Sequence, residues 1–87
     1  MRMDYAVHTE FGDLLIETNY GLHGQIVDML VAERKAQNKT QQEIADFTGI
    51  KRANIARIEG KKHSTSIDVL EKYAECLGKR LDVKLVG

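Results

Sequence analysis

The sequence predicts a mostly α fold: a bundle of four to five helices closed by a short C-terminal β-strand. Three observations carry this. Glycines at 21, 24, 49, 60 and 78 divide the chain into helix-length segments, there is no proline, and apolar residues recur within those segments at helical spacing. The tail breaks the pattern, alternating Leu81, Val83 and Leu85 with Asp82 and Lys84, as a strand does.

The elements follow in order. Segment 4–20 fits two periods. Val7, Phe11, Leu14 and Leu15 make a helical stripe, while Tyr5, Val7, Thr9 and Phe11 alternate as a strand would. The helix, stopping near Asn19–Gly21, is the expectation favoured here. Segment 24–37 is a helix with Ile26, Val27, Leu30, Val31 and Arg34 on one face. Thr40-Gln41-Gln42-Glu43 is a capping box: the Thr40 hydroxyl accepts from the Glu43 amide, and the Glu43 side chain reaches back to the Thr40 amide. Ile44, Ala45 and Phe47 continue that helix, and Gly49 stops it. Residues 51–59 form the next helix, with Ile55 and Ile58 inward. The polar loop 61–65 leads to a helix at 67–77, capped by Thr65 or Ser66, with the stripe Ile67, Leu70, Ala74 and Leu77.

Length and composition bound the function. Eighty-seven residues make one domain with a modest core, which argues against an enzyme with a deep pocket. No apolar run approaches a membrane span, and no signal-peptide pattern opens the chain. A lone cysteine, Cys76, excludes an intrachain disulfide and a thiolate zinc cage and suits a reducing, cytoplasmic setting. His8, His23 and His63 lack metal-ligand spacing, and no cofactor motif is present. The zero net charge conceals an uneven distribution: residues 1–23 carry a net −3 and residues 24–64 a net +3. An acidic start and a basic middle suit two surfaces with different partners.

The block Gln41 to Glu59 is the most informative. Ala45 stands where two helices crossing near a right angle must approach closely. Gly49 stands where the turn needs positive φ, and Ile44, Ile50, Ile55 and Ile58 lock the second helix to the first. That spacing matches a DNA-binding helix-turn-helix. On its outward face the second helix carries Lys51, Arg52, Ala53, Ala56 and Arg57. Arginine holds guanine O6 and N7 bidentately, so Arg52 and Arg57 are the base-reading candidates, with phosphate contact the alternative. Asn54 suits adenine or a phosphate, and Lys61 and Lys62 suit the DNA backbone.

Taken with Arg34, Glu59 and Lys61, this run resembles the Cro/CI-type, or XRE-type, helix-turn-helix regulators, over roughly residues 24–78. The resemblance implies a lambda-repressor-like helix-turn-helix bundle. It also implies a phosphate contact from Gln41 at the start of the first motif helix, and a semi-buried ion pair between Arg34 and Glu59. The sequence departs from the family at Lys51, where a capping Ser or Thr is usual, at Arg52, at Ala56, and at Thr65, where proline is frequent. The operator therefore cannot be carried over. The run Leu70…Leu77-Gly78-Lys79-Arg80-Leu81-x-Val83-x-Leu85 is similar to the tail of HigA-like antitoxins in that family.

Three regions follow: an acidic N-terminal extension, 1–23, expected as a partner-binding helix or as a cap on the chain's own small core; a DNA-binding domain, 24–78; and a dimerisation strand, 79–87. A lone exposed strand is unstable, so Leu81, Val83 and Leu85 are expected to pair with a symmetry mate, with Val83 central. The expected partners are double-stranded operator DNA and a second copy of the chain, with no membrane. For the HigA-like subgroup a basic ribonuclease toxin joins them. The expected activity is repression of transcription, as an autoregulating antitoxin or as a stand-alone regulator, and not catalysis.

Overall fold

The computed structural model describes residues 4–9, 12–17, 21–61 and 65–86. Strands β1 (Asp4–Thr9) and β2 (Gly12–Glu17) precede four helices, α1 (Leu22–Ala36), α2 (Gln41–Thr48), α3 (Arg52–Glu59) and α4 (Ile67–Cys76), and strand β3 (Asp82–Val86) ends the chain.

Local signals account for the helix boundaries. Ile26, Val27, Leu30 and Arg34 recur on one face of α1, and all four are buried. In α2 the Thr40 hydroxyl accepts from the Glu43 amide at 3.1 Å, and the Thr40 amide donates to Glu43 Oε1 at 3.1 Å. Gly49 ends α2 at φ 76°, and its N–H reaches the Ala45 carbonyl at 2.9 Å. A side chain there would meet no neighbour, so the need for glycine is purely one of backbone conformation. Ser66 caps α4 by accepting from the Val69 amide at 3.3 Å. The C-terminal carbonyls of α4 are met from the α1–α2 connection, by Lys39 Nζ on Cys76 (2.6 Å) and Gln37 Nε2 on Leu77 (2.8 Å).

The core lies among the four helices. Ile26, Val27, Leu30, Ile44, Ala45, Ile55, Ile58, Leu70, Tyr73, Ala74, Cys76 and Leu77 form one buried cluster, with Leu81 and Val83 packed against its edge.

The structure corrects the expectation of a helix within residues 4–20. Residues 4–9 and 12–17 form an antiparallel pair of strands instead, and the sheet order is β2-β1-β3. The physical reason is non-local. A run that fits both periods is decided by its partners, and β3 offers an edge of matching alternation. The register aligns Ile16, Tyr5 and Leu85 in one row and Leu14, Val7 and Val83 in the next. Leu15, which completed the helical stripe, instead shares a row with Ala6 and Lys84. Nor is β3 a lone strand, as the expectation of pairing with a symmetry mate assumed: β1 pairs it within the chain. Its other edge has no strand beside it among the described residues.

Candidate nucleic-acid interface

Helix α3 has two sharply different sides. Ile55 and Ile58 are 0% and 4% exposed, whereas Lys51, Arg52, Ala53, Asn54, Ala56 and Arg57 are all exposed. Positions 52, 53, 56 and 57 are one and four residues apart and so share a helix face. Arg52 and Arg57 flank a strip kept low by Ala53 and Ala56, which lets another surface approach the helix backbone. Asn54 stands at the margin. With Ile50, Ile58, Thr65 and Val69 it lines a shallow depression of about 290 Å³ towards α4. Lys51 is the N-cap of α3 in extended conformation and makes no side-chain cap, so the first turn of α3 carries neither a capping oxygen nor an acidic residue.

The remaining candidates divide. Lys61, at φ 56°, turns towards α1 and pairs with Asp28 at 2.9 Å. Both partners are well exposed, so the pair is weak and the lysine can exchange it for a phosphate. Thr65 N–H donates to His23 Nε2 at 3.0 Å, so Lys61 and Thr65 are both tied to α1. Lys62 lies outside the described residues. Gln41, the first residue of α2, is half-buried, and its Nε2 donates to Glu59 Oε1 at 3.1 Å.

Arg34 and Glu59 are brought together in a bidentate pair. Arg34 Nε and Nη2 donate to Glu59 Oε2 and Oε1, each at 2.9 Å, with side chains only 11% and 8% exposed. Arg34 Nη1 donates to the Lys39 carbonyl at 2.8 Å. Tyr73 completes the cluster, its hydroxyl donating to Glu59 Oε2 at 2.6 Å and lying 3.2 Å from Arg34 Nε. Burial pushes the Glu59 carboxyl up, but hydrogen bonds from Tyr73, Arg34 and Gln41 outweigh it and hold the carboxyl below its ordinary value. Burial pulls the Arg34 guanidinium down, and the Glu59 carboxylate more than reverses this, so it stays charged. Burial and the adjacent carboxylate raise the Tyr73 hydroxyl well above its ordinary range, which keeps it a donor. Burial likewise pushes the Cys76 thiol up, as expected of a packed side chain rather than a nucleophile.

Sequence reading missed Tyr73. Its signal was available, because it lies three residues after Leu70 and one before Ala74, on the inward stripe of α4. A tyrosine on such a stripe needs a partner for its hydroxyl, and the ion pair supplies one.

Among the described residues no group of His, Cys, Asp and Glu could hold a metal ion, and no helix is long and apolar enough to cross a membrane. No curated protein and no solved structure matches the chain. The helix-turn-helix family model matches residues 30–84, which span α2, the turn, α3 and α4. The chain belongs to the helix-turn-helix family of the XRE type, a family of DNA-binding transcription regulators.

Proposed function

We propose that the protein is a sequence-specific transcriptional repressor that binds a palindromic DNA operator as a two-fold dimer. One observation carries the reading: α3 buries Ile55 and Ile58 in the core while exposing Arg52, Ala53, Ala56 and Arg57 on one basic face. A helix so presented fits the major groove, with the two arginines against base edges and Lys51, Lys61, Lys62 and Gln41 against the backbone. Two such helices one DNA turn apart, about 34 Å, read a two-fold symmetric site.

The dimer is formed, on this reading, by the free edge of β3. In an antiparallel pairing centred on Val83, Asp82 faces Lys84 of the second copy twice, and Leu81 faces Leu85 twice. A register shifted one residue to Lys84 would set like charges against each other. Leu85 is 65% exposed, so its burial in that register gives the pairing a hydrophobic gain.

Substitution of the arginines tests the assignment. Arg52→Ala or Arg57→Ala should cost about 1–3 kcal/mol on the cognate site and relax choice at one base position. Gln41→Ala should weaken all sequences alike. Equal losses on cognate and random DNA for both arginine variants would refute base reading.

A narrower reading makes the protein an antitoxin that neutralises a basic ribonuclease toxin and represses its own operon. The net −3 over residues 1–23 and the HigA-like tail favour it. With residues 4–9 and 12–17 in strands, no amphipathic helix is there to dock on the toxin, and the acidic charge alone speaks for that segment. A small basic protein encoded in the adjacent reading frame, retained by this chain in a binding assay, would support the antitoxin. Failure to bind it would leave a stand-alone regulator.

A further inference from the structure

Lys61 is turned off the face to which α3 would carry it. If the helix ran on, position 61 would lie one turn beyond Arg57 and extend the exposed basic face. The helix stops at Gly60 instead, and Lys61 takes φ 56°, a left-handed conformation that an L side chain adopts at a cost. Its N–H donates to the Ile58 carbonyl at 3.0 Å, so backbone closes the turn. Strain of this kind persists only where the surroundings over-determine it.

Those surroundings are on α1. Gly24 has no side chain, and the Lys61 stem lies over the bare backbone: a Cβ at Gly24 would stand 3.4 Å from Lys61 Cδ. One turn further along α1, Asp28 Oδ1 meets the Lys61 ammonium at 2.9 Å. Gly24 and Asp28 thus form a track on α1 for a single lysine. The track is open to solvent. The side chains of Lys61 and Asp28 are 43% and 62% exposed, so an outside anion can reach the ammonium. Carboxylate and phosphate both offer anionic oxygens to a lysine, which brings one charge to share between them.

We propose that Asp28 is a built-in competitor of the DNA backbone for Lys61: it draws the cation onto α1 in the free protein and so weakens the hold on phosphate. This rests on the DNA-binding reading above, with Lys61 as a backbone contact. Phosphates carry no base information. The competition therefore sets overall affinity and leaves the choice of operator to Arg52 and Arg57.

The test is a double-mutant cycle. Binding to a random-sequence duplex of about two helical turns is measured at low ionic strength, where exposed charges are screened least. The four proteins are the wild type, Asp28→Asn, Lys61→Gly and the double variant, with folding checked by circular dichroism. Asp28→Asn keeps the shape and removes the charge. Lys61→Gly removes the cation and suits the left-handed backbone. Where the glycine variant does not fold, Lys61→Gln takes its place. Asp28→Asn should tighten binding about 1.5- to fivefold, the range of an exposed ion pair, and most of that gain should vanish in the Lys61→Gly background. An equal gain in both backgrounds would mean that Asp28 repels DNA directly, and would overturn the proposal. Weaker binding by Asp28→Asn would overturn it as well, since the pair would then support the contact. If Lys61→Gly costs nothing in the Asp28→Asn background, Lys61 does not touch DNA and the proposal fails, while duplex binding by these proteins leaves the DNA-binding reading standing. No affinity for the duplex in any of the four would defeat that reading itself.

Discussion

Arg34→Met isolates the energetics of the charged cluster. The substitution keeps most of the buried stem and removes the guanidinium, with its bonds to Glu59, to the Lys39 carbonyl and to Tyr73. Glu59 is left 8% exposed without its cation. Breaking a buried pair on one side costs about 3–5 kcal/mol. A domain of this length is stable by only about 4–13 kcal/mol in all, so the variant sits near the edge of folding. At about 4–8 °C per kcal/mol for a chain of this size, Tm should fall by roughly 12–40 °C. Urea unfolding and thermal melts by circular dichroism measure both quantities.

The pH dependence carries the sharper test. In the wild type the Glu59 carboxyl lies below its ordinary value of 4.5, so its contribution is complete above 4.5 and drains away as pH falls through the folded value. In Arg34→Met the carboxylate is buried without a cation, which pushes the carboxyl up, and protonation then relieves the variant. The stability gap between the two proteins should therefore narrow on acidification from pH 7 to below pH 4. A gap under about 1 kcal/mol at neutral pH, or one that does not change with acidification, would refute the burial of the pair as the source of its strength.

Two further outcomes follow from the same geometry. Lys51→Ser should add a side-chain cap to α3 and raise stability by about 0.5–1 kcal/mol. It should also weaken DNA binding and lower the salt slope by about 0.9 for each phosphate that Lys51 neutralises, and unchanged salt dependence would remove Lys51 from the interface. Leu85→Asp should shift the protein towards monomer in sedimentation at micromolar concentration without loss of helical stability, because Leu85 is exposed in the single chain. Val83→Asp is the poorer probe, since Val83 packs against the chain's own core and its replacement would confound folding with assembly. An unchanged dimer in Leu85→Asp would move the interface away from β3.

The helical domain was legible because its signals are local. The Thr40–Glu43 box, Gly49, Ser66 and the stripes of α1 and α4 each act within a turn or two, and each lies in the structure where its spacing puts it, except Ile67, which begins the α4 stripe and is 48% exposed. The strand pair was not legible for the opposite reason. Residues 4–17 satisfy both periods, and the decision rests on β3, about seventy residues further along the chain. Tyr73 falls between these cases. Its inward position was readable from the stripe, but its partner depends on how α1, α3 and α4 converge, which no spacing within one helix encodes. Lys61 shows the same limit on the surface: the sequence placed it beside the recognition helix, and its pairing with Asp28 depends on the packing of α1 against α3.

The two N-terminal strands change how the acidic segment can act. As a free helical extension it would be separable from the rest of the protein, and its deletion would be a clean test of partner docking. As β1 and β2 it is part of the sheet that contains β3, and β1 lies between the other two strands. Removing residues 1–20 would strip β3 of its partner and expose both of its edges, so loss of docking, loss of the dimer and aggregation would be confounded. The two outer edges of the sheet are nevertheless distinct surfaces. β3, with Asp82 and Lys84 in alternation, is self-complementary and suits a second copy. β2 belongs to the segment with net −3 charge, which disfavours self-association and suits a basic partner. Charge-reversing substitutions in β2, such as Asp13→Lys or Glu17→Lys, therefore probe docking while leaving the β1–β3 pairing intact, which the deletion cannot do. Binding of a basic partner that survives both reversals would place the docking surface elsewhere than on β2.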